Sequence, residues 1–360
     1  MRHVRRPQAT ARRLSARSRC GGFTLVELLV VMTIIAILMS MSILVIANYI
    51  SRAREQATAA TILKIDGLIK DRMDALGRAL ETDPDVQETI DEIQADLIAT
   101  NLYYKTISRD MLSVLVRKEI VRRNFPQRPT EVPGWSDDTL PLGHPLKGKT
   151  DISSSELLYY ALTNSTVFGV PPVGAGELEA SEAQDLDGDG LLEFIDAWGN
   201  PLRFYRWPTG LIKPNGTDLS DLINYNPAAN INLGAGASIL IQGLPAPATV
   251  PGERNPLAED PDDPLGRIVS EIKRLEGSSI DIRGEVNATN WHDFDTFHTP
   301  LVVSAGRDGE FGLRPPPLGS TISAGDRDHL AVPFTTAEDP QVESHLSDNI
   351  TNRNRRAGGN

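Results

Sequence analysis

Between Phe23 and Ile50 the chain reads FTLVELLVVMTIIAILMSMSILVIANYI, 28 residues with one charge, Glu27. As a helix this run spans about 42 Å, more than the ~30 Å hydrocarbon thickness of a bilayer, so it predicts a membrane-spanning segment. After Ile50 the pattern turns amphipathic. Ile62, Ile65, Ile69, Met73, Leu76 and Leu80 recur at steps of three and four, which is one helix face. No proline intervenes before Pro84, so one helix from about Thr24 to about Leu80 is expected, with Gly67 and Gly77 as soft points. Two helices broken near Ser51 are the alternative.

Val86, Ile90, Ile93 and Leu97, then Ile107, Met111, Leu115 and Val121, keep helical spacing and predict a helical hairpin over residues 83–125. Residues 126–150 are Pro/Gly-rich loop. A short helix follows from about Ser154 to Leu162, with Ser153 or Ser154 as its cap and Glu156 in its first turn. Asn200 and Pro201 mark a turn before a strand carrying Leu202, Phe204 and Trp207. Residues 208–265 exceed an ordinary loop; GASILIQG within them offers another strand. Residues 266–276 read as an amphipathic helix, and the tail TNRNRRAGGN, 351–360, as disordered.

Charge divides the chain further. The whole has 36 basic and 48 acidic residues, a net of −12, which argues against a nucleic-acid partner. Residues 1–22 carry seven arginines and no acid; the remainder has 29 basic against 48 acidic residues, a net of −19. This is a basic leader, an apolar segment and an acidic body. The positive-inside rule puts residues 1–22 in the cytoplasm and the body outside, as a single-pass protein of the inner membrane. The single cysteine, Cys20, excludes a disulfide framework and a cysteine-based zinc site.

Residues 185–196, DLDGDGLLEFID, place Asp185, Asp187 and Asp189 at positions 1, 3 and 5 of a loop, Gly190 at 6, Glu193 at 9 and Asp196 at 12. This is the spacing of an EF-hand calcium loop with Asp at the final position. A hard Ca²⁺ ion wants six to eight oxygens, alternate residues turn carboxylates inward, and Leu191 would add a carbonyl. The alternative is a solvated acidic turn.

The N-terminus resembles a known family. GG-FTLVELLVV, Gly21 to Val31, looks like the prepilin processing motif of type IV pilins and type II secretion pseudopilins. The resemblance implies cleavage by prepilin peptidase after Gly22, N-methylation of Phe23, and Glu27 as the fifth mature residue. In an array of such helices, Glu27 of one subunit would pair with the Phe23 amine of another, compensating two charges in an apolar setting. DAWGNPLRFY, Asp196 to Tyr205, resembles the D-x-W-G-N-P-x-x-Y segment of major pseudopilins. FHTPLVVSAGRDGEFGL, Phe297 to Leu313, resembles their late strand and calcium-binding loop. That resemblance carries Asp308 over as a second, weaker metal candidate, with the carbonyls near Ser304 and Arg307 behind it. The sequence departs from the family pattern after Gly312. His298 and Asp308-Gly309 also fit an H-x9-D-G spacing; His298 is read as a strand-start residue.

The elements and the resemblance together imply an α+β fold: a long N-terminal transmembrane helix as stem, packed on a globular head with a small antiparallel sheet, an inserted helical hairpin and long loops. The expected organisation is leader 1–22, transmembrane half-helix 23–50, extracytoplasmic half-helix 51–82, insertion 83–125, head 126–350 and tail 351–360. The expected function is a subunit of a type II secretion pseudopilus or type IV pilus filament, with prepilin peptidase, the assembly machinery and other pilin-like subunits as partners. A minor type IV pilin is the runner-up. No G-x-S-x-G or H-E-x-x-H motif occurs, and no enzyme is expected. A membrane-anchored enzyme is the alternative of a different class, and its mark would be a deep polar pocket holding several of the six histidines.

Overall fold

The computed structural model describes residues 24–82, 84–100, 102–135, 138–167, 169–174, 176–211, 260–275, 291–292, 298–318 and 327–353. Gly22, Phe23 and the GASILIQG segment lie outside the described residues. The chain divides into two compact units, 1–50 and 51–360. The first helix, α1, is Leu25–Thr82 and contributes to both, with no break at Ser51.

In the first unit the helix begins with a capping box. The Thr24 amide and hydroxyl donate to Glu27 Oε2 at 2.8 and 2.9 Å, and the Glu27 amide donates back to Thr24 Oγ1 at 3.2 Å. The described apolar side chains beyond it, Leu25 to Met41 among them, are exposed. Thr33, Ser40 and Ser42 return their hydroxyls to carbonyls three or four residues earlier at 2.8 Å, so these polar groups need no water.

The second unit is α+β. Ile62, Ile65, Ile69 and Leu76 of α1 are fully buried, as the stripe predicts. Arg72 is buried beside them because its guanidinium donates to the carbonyls of Leu162 and Pro171 at 3.0 and 3.1 Å. Helices α2 (Pro84–Thr100) and α3 (Arg109–Asn124) form the expected pair. Ser108 caps α3, its hydroxyl accepting from the Met111 amide at 3.2 Å. α3 is buried on more than its apolar face, Lys118 and Glu119 included.

Ser153 caps α4 (Ser154–Thr163) in a box with Glu156. The hydroxyls of Ser154 and Ser155 accept from the amides of Phe204 and Phe194 at 3.1 and 3.0 Å, holding α4 against two strands. Strands β1 (Ala183–Gln184) and β2 (Glu193–Phe194) pair antiparallel. Strands β3 (Arg203–Tyr205), β4 (Leu301–Ser304) and β5 (Ile350–Thr351) form an antiparallel sheet in the order β3-β4-β5. Phe204 faces Val302 and Val303 faces Thr351. Alternation along the strands feeds two cores: Phe204 and Val302 pack with α1 and α3, while Tyr205, Leu301 and Val303 pack with Val342 and Leu346.

Helix α5 (Arg267–Leu275) starts where both Asp263 oxygens accept amides at 2.8 Å, and α6 is Val342–Asp348. Just past β3, the Arg206 guanidinium donates to both Glu131 oxygens at 2.7 and 2.9 Å, tying the loop after α3 to the sheet.

The tail corrects the sequence reading. Thr351 is in β5, and Asn352 is buried, donating to Asp66 Oδ1 at 2.6 Å and accepting from the Val302 amide at 3.1 Å. The expected disordered segment 351–360 therefore begins inside the sheet, because Asn352 completes the β4 hydrogen bonds and answers a buried carboxylate.

Candidate functional site

The DAWGN turn is organised by Asp196. Its Oδ1 accepts from the amides of Trp198 and Asn200, both at 2.9 Å, and Gly199 takes a φ of 89° that a side chain would strain. Its Oδ2 accepts from the Ser304 hydroxyl of β4 at 2.7 Å. Asp196 was expected as the twelfth calcium ligand. In this structure both its oxygens serve the turn and the sheet.

The acidic loop upstream bends as its glycines require, Gly188 and Gly190 having φ of 81° and 90°. Asp185 accepts from the amides of Gly188 and Gly190 at 2.7 and 3.0 Å, Asp187 from Asp189 at 3.0 Å, and Asp189 from Leu191 at 2.7 Å. The carboxylates of Asp187 and Asp189 converge with Glu156 of α4, ligand atoms lying within 4.8 Å of one another. From the sequence Glu156 is a residue of the first turn of α4. Lys149 Nζ stands 3.7 Å from Asp189 Oδ2.

Glu193 begins β2 and is buried; its Oε1 accepts from the Leu186 amide at 3.0 Å while its Oε2 has no hydrogen-bond partner. Burial, joined by repulsion from Glu156 and Asp187, pushes its carboxyl up to about 7. Burial raises Glu156 as well, with Asp189 and Asp187 adding to the effect. An all-oxygen donor set, a tight glycine bend and an orphaned buried carboxylate oxygen fit a hard divalent cation.

Asp308 stands apart from this group. It is exposed, and its Oδ1 accepts from the Glu310 amide at 2.9 Å. The amides of Arg307 and Asp308 donate to Asp348 Oδ2 at 2.7 and 3.1 Å, so the loop wraps the end of α6. A Cβ on Gly306 would fall 2.3 Å from the Asp348 carbonyl, which explains the glycine.

The histidines scatter, with one exception. His144 meets the Tyr160 hydroxyl at 2.9 Å and His345 meets Asp339 at 2.8 Å. His329 is buried, and burial beside Arg128 pulls it down to about 3. His292 and His298 come together in the core with Asp260, Asp262 and Lys118, all 5% exposed or less. No motif announced this cluster; its only sequence signal is the acidic run Glu259 to Asp263.

Leu25–Ser42 is long and apolar enough to cross a membrane, the one such helix among the described residues. Residues 17–43 match the family model described as the prokaryotic N-terminal methylation motif. The chain carries that motif. An N-terminal methylation motif on an apolar N-terminal helix is the arrangement of type IV pilin-like proteins, and it makes this helix the membrane-anchoring segment among the described residues. No curated protein and no solved structure matches the chain.

Proposed function

We propose that this protein is a structural pilin-like subunit of a type II secretion pseudopilus, cleaved by prepilin peptidase after Gly22, methylated on Phe23 and assembled through its N-terminal helix. The observation that carries the proposal is the methylation motif at 17–43 joined to a helix whose only charge before Arg52 is Glu27. The basic leader stays in the cytoplasm and the acidic body lies outside the inner membrane. A role in secretion, as opposed to a minor type IV pilin, rests on the likeness of Asp196–Tyr205 to major pseudopilins.

Glu27 has two successive partners in this reading. In the free chain Thr24 caps it; in the filament the Phe23 amine of a neighbour replaces water around its charge. Gly22→Val should leave the leader attached, so mass spectrometry should find the product heavier by residues 1–22. Normal cleavage would reject the site. Glu27→Gln keeps the capping acceptor but not the charge. It should be cleaved normally yet fail to form cross-linkable oligomers, and wild-type oligomers would end the pairing argument.

A second reading concerns calcium at the acidic loop, favoured by the orphaned Glu193 oxygen and the convergence of Glu156 with Asp187 and Asp189. Asp185, Asp187, Asp189, Glu193 and the Leu191 carbonyl remain the loop's own candidates, and Asp308 the weaker second one. The ion would supply positive charge where β2 begins. The full chain in detergent should melt higher in millimolar calcium than in chelator, magnesium being much weaker. Asp187→Ala with Asp189→Ala should remove most of the difference; its survival in that variant would place the ion elsewhere.

A further inference from the structure

The core cluster of Asp260, His292 and His298 lies in unit 51–360, outside the matched residues 17–43. All three side chains are buried, and their ligand atoms lie within 4.8 Å of one another. Asp260 presents one oxygen to each ring: Oδ2 lies 3.2 Å from His292 Nε2, and Oδ1 lies 3.5 Å from His298 Nδ1. Ligands of a tetrahedral zinc with ~2.1 Å bonds stand about 3.4 Å apart. The separations are those of a first coordination shell.

The second observation is the state of His298. Its Nε2 lies 3.2 Å from Asp262 Oδ2, and Asp262 also holds Arg117 Nε at 3.1 Å and Lys118 Nζ at 3.4 Å. Asp262, held by these two cations, meets the ring at Nε2. The other ring nitrogen, Nδ1, is buried, has no hydrogen-bond partner and faces Asp260. A ligating histidine held from behind by a carboxylate is the usual outer shell of a zinc site.

We propose that Asp260, His292 and His298 bind a divalent transition cation, Zn²⁺ by the chemistry of the donors, with Asp262 orienting His298. Two imidazoles and one carboxylate favour zinc over calcium, which prefers oxygen alone. In the metal-free chain the Lys118 ammonium, 2.6 Å from Asp260 Oδ2, supplies the missing positive charge and competes with the ion. A cleft of about 340 Å³, bounded by Leu80, Ile90, Arg117, Asp262, Asp263 and Arg267, reaches Asp262, the carboxylate behind His298. The ion would pin residues 260–263, His292 and the approach to β4, which no strand pairing joins among the described residues.

The test uses the untagged full chain in detergent, stripped with chelator, dialysed against Zn²⁺ and then against metal-free buffer. About one zinc per chain should remain by elemental analysis. Co²⁺ in its place should show the intense visible absorption of a four-coordinate ion without a thiolate band, since Cys20 is the only thiol. His298→Gln should lose the ion, Asp187→Ala with Asp189→Ala should keep it, and Lys118→Met should bind at least as tightly as wild type. Wild-type protein that retains no zinc, or gives only the pale spectrum of hydrated cobalt, overturns the proposal without any variant having to fold. Loss of zinc in the acidic-loop variant with retention in His298→Gln overturns it too.

Discussion

The loop from Asp185 to Glu193 and the cluster around Asp260 both concentrate carboxylates, yet they manage the repulsion in opposite ways. In the loop the acids meet one another, and the nearest cation, Lys149, is 3.7 Å from Asp189 and partly exposed. In the core the acids meet Lys118, Arg117 and two imidazoles. The titration directions follow. Burial alone would raise Asp260 and Asp262, but Lys118 and the histidines hold both below the ordinary aspartate range. Burial raises Glu193 to about 7, and its acidic neighbours Glu156 and Asp187 reinforce the shift. In the core Lys118 and Arg117 balance the acids until an ion displaces the ammonium, whereas the loop has Lys149 alone beside Asp189.

Removing that counter-charge should have the largest effect. Lys118→Met keeps the volume but leaves Asp260 and Asp262 buried with their main cation gone. Breaking a buried pair in this way costs about 3–5 kcal/mol. For a unit of this size the melting temperature should fall on the order of 10 °C in chelator. Zinc should recover part of the loss if an ion can take the ammonium's place. A fall of less than about 2 °C, the equivalent of roughly 1 kcal/mol or less, would mean that Lys118 does not carry the cluster.

The two sites should also separate by pH in chelator. Asp260 and Asp262 have lowered folded values, so their contribution is complete above the unfolded value near 4 and is lost as pH falls below it. Glu193 has a raised folded value, so its proton stabilises the fold below the unfolded value near 4.5. That contribution is lost as pH rises from about 4.5 to about 7. Melting curves across this window should flatten in Glu193→Gln and leave the acid limb unchanged. An unaltered slope between pH 4.5 and 7 would remove Glu193 from the account.

What the sequence disclosed divides along the same line. The α1 stripe, the Ser153 cap and the glycine bends depend on residues a turn or two apart, and their spacing is visible in one dimension. The Thr24–Glu27 box was visible as T-x-x-E but was read only for processing and assembly. Lys118 sits in VRKEIVRR, which looks like a solvated face until Asp260 and Asp262 arrive from a distant stretch. Glu156 served two neighbourhoods at once, and the helix cap concealed its place beside Asp187. Nothing local could have told that Asn352 closes on Asp66.

Asp196 gives the finest test of the contrast. The twelve-residue loop pattern assigns it to calcium, but Ser304, 108 residues away, and two amides of its own turn take its oxygens. Asp196→Asn preserves the size and one acceptor while removing the charge. It also turns an amide nitrogen toward Ser304, whose oxygen already accepts from the Gly306 amide at 3.0 Å. The cost should be about 1–3 kcal/mol, the range for a buried hydrogen bond to a charged group. The calcium-dependent rise in melting temperature should stay as it is in wild type, because Asp187, Asp189 and Glu156 are untouched. If the calcium shift vanishes in Asp196→Asn while the protein stays folded, Asp196 reaches the ion after all and the loop closes as a complete twelve-residue site.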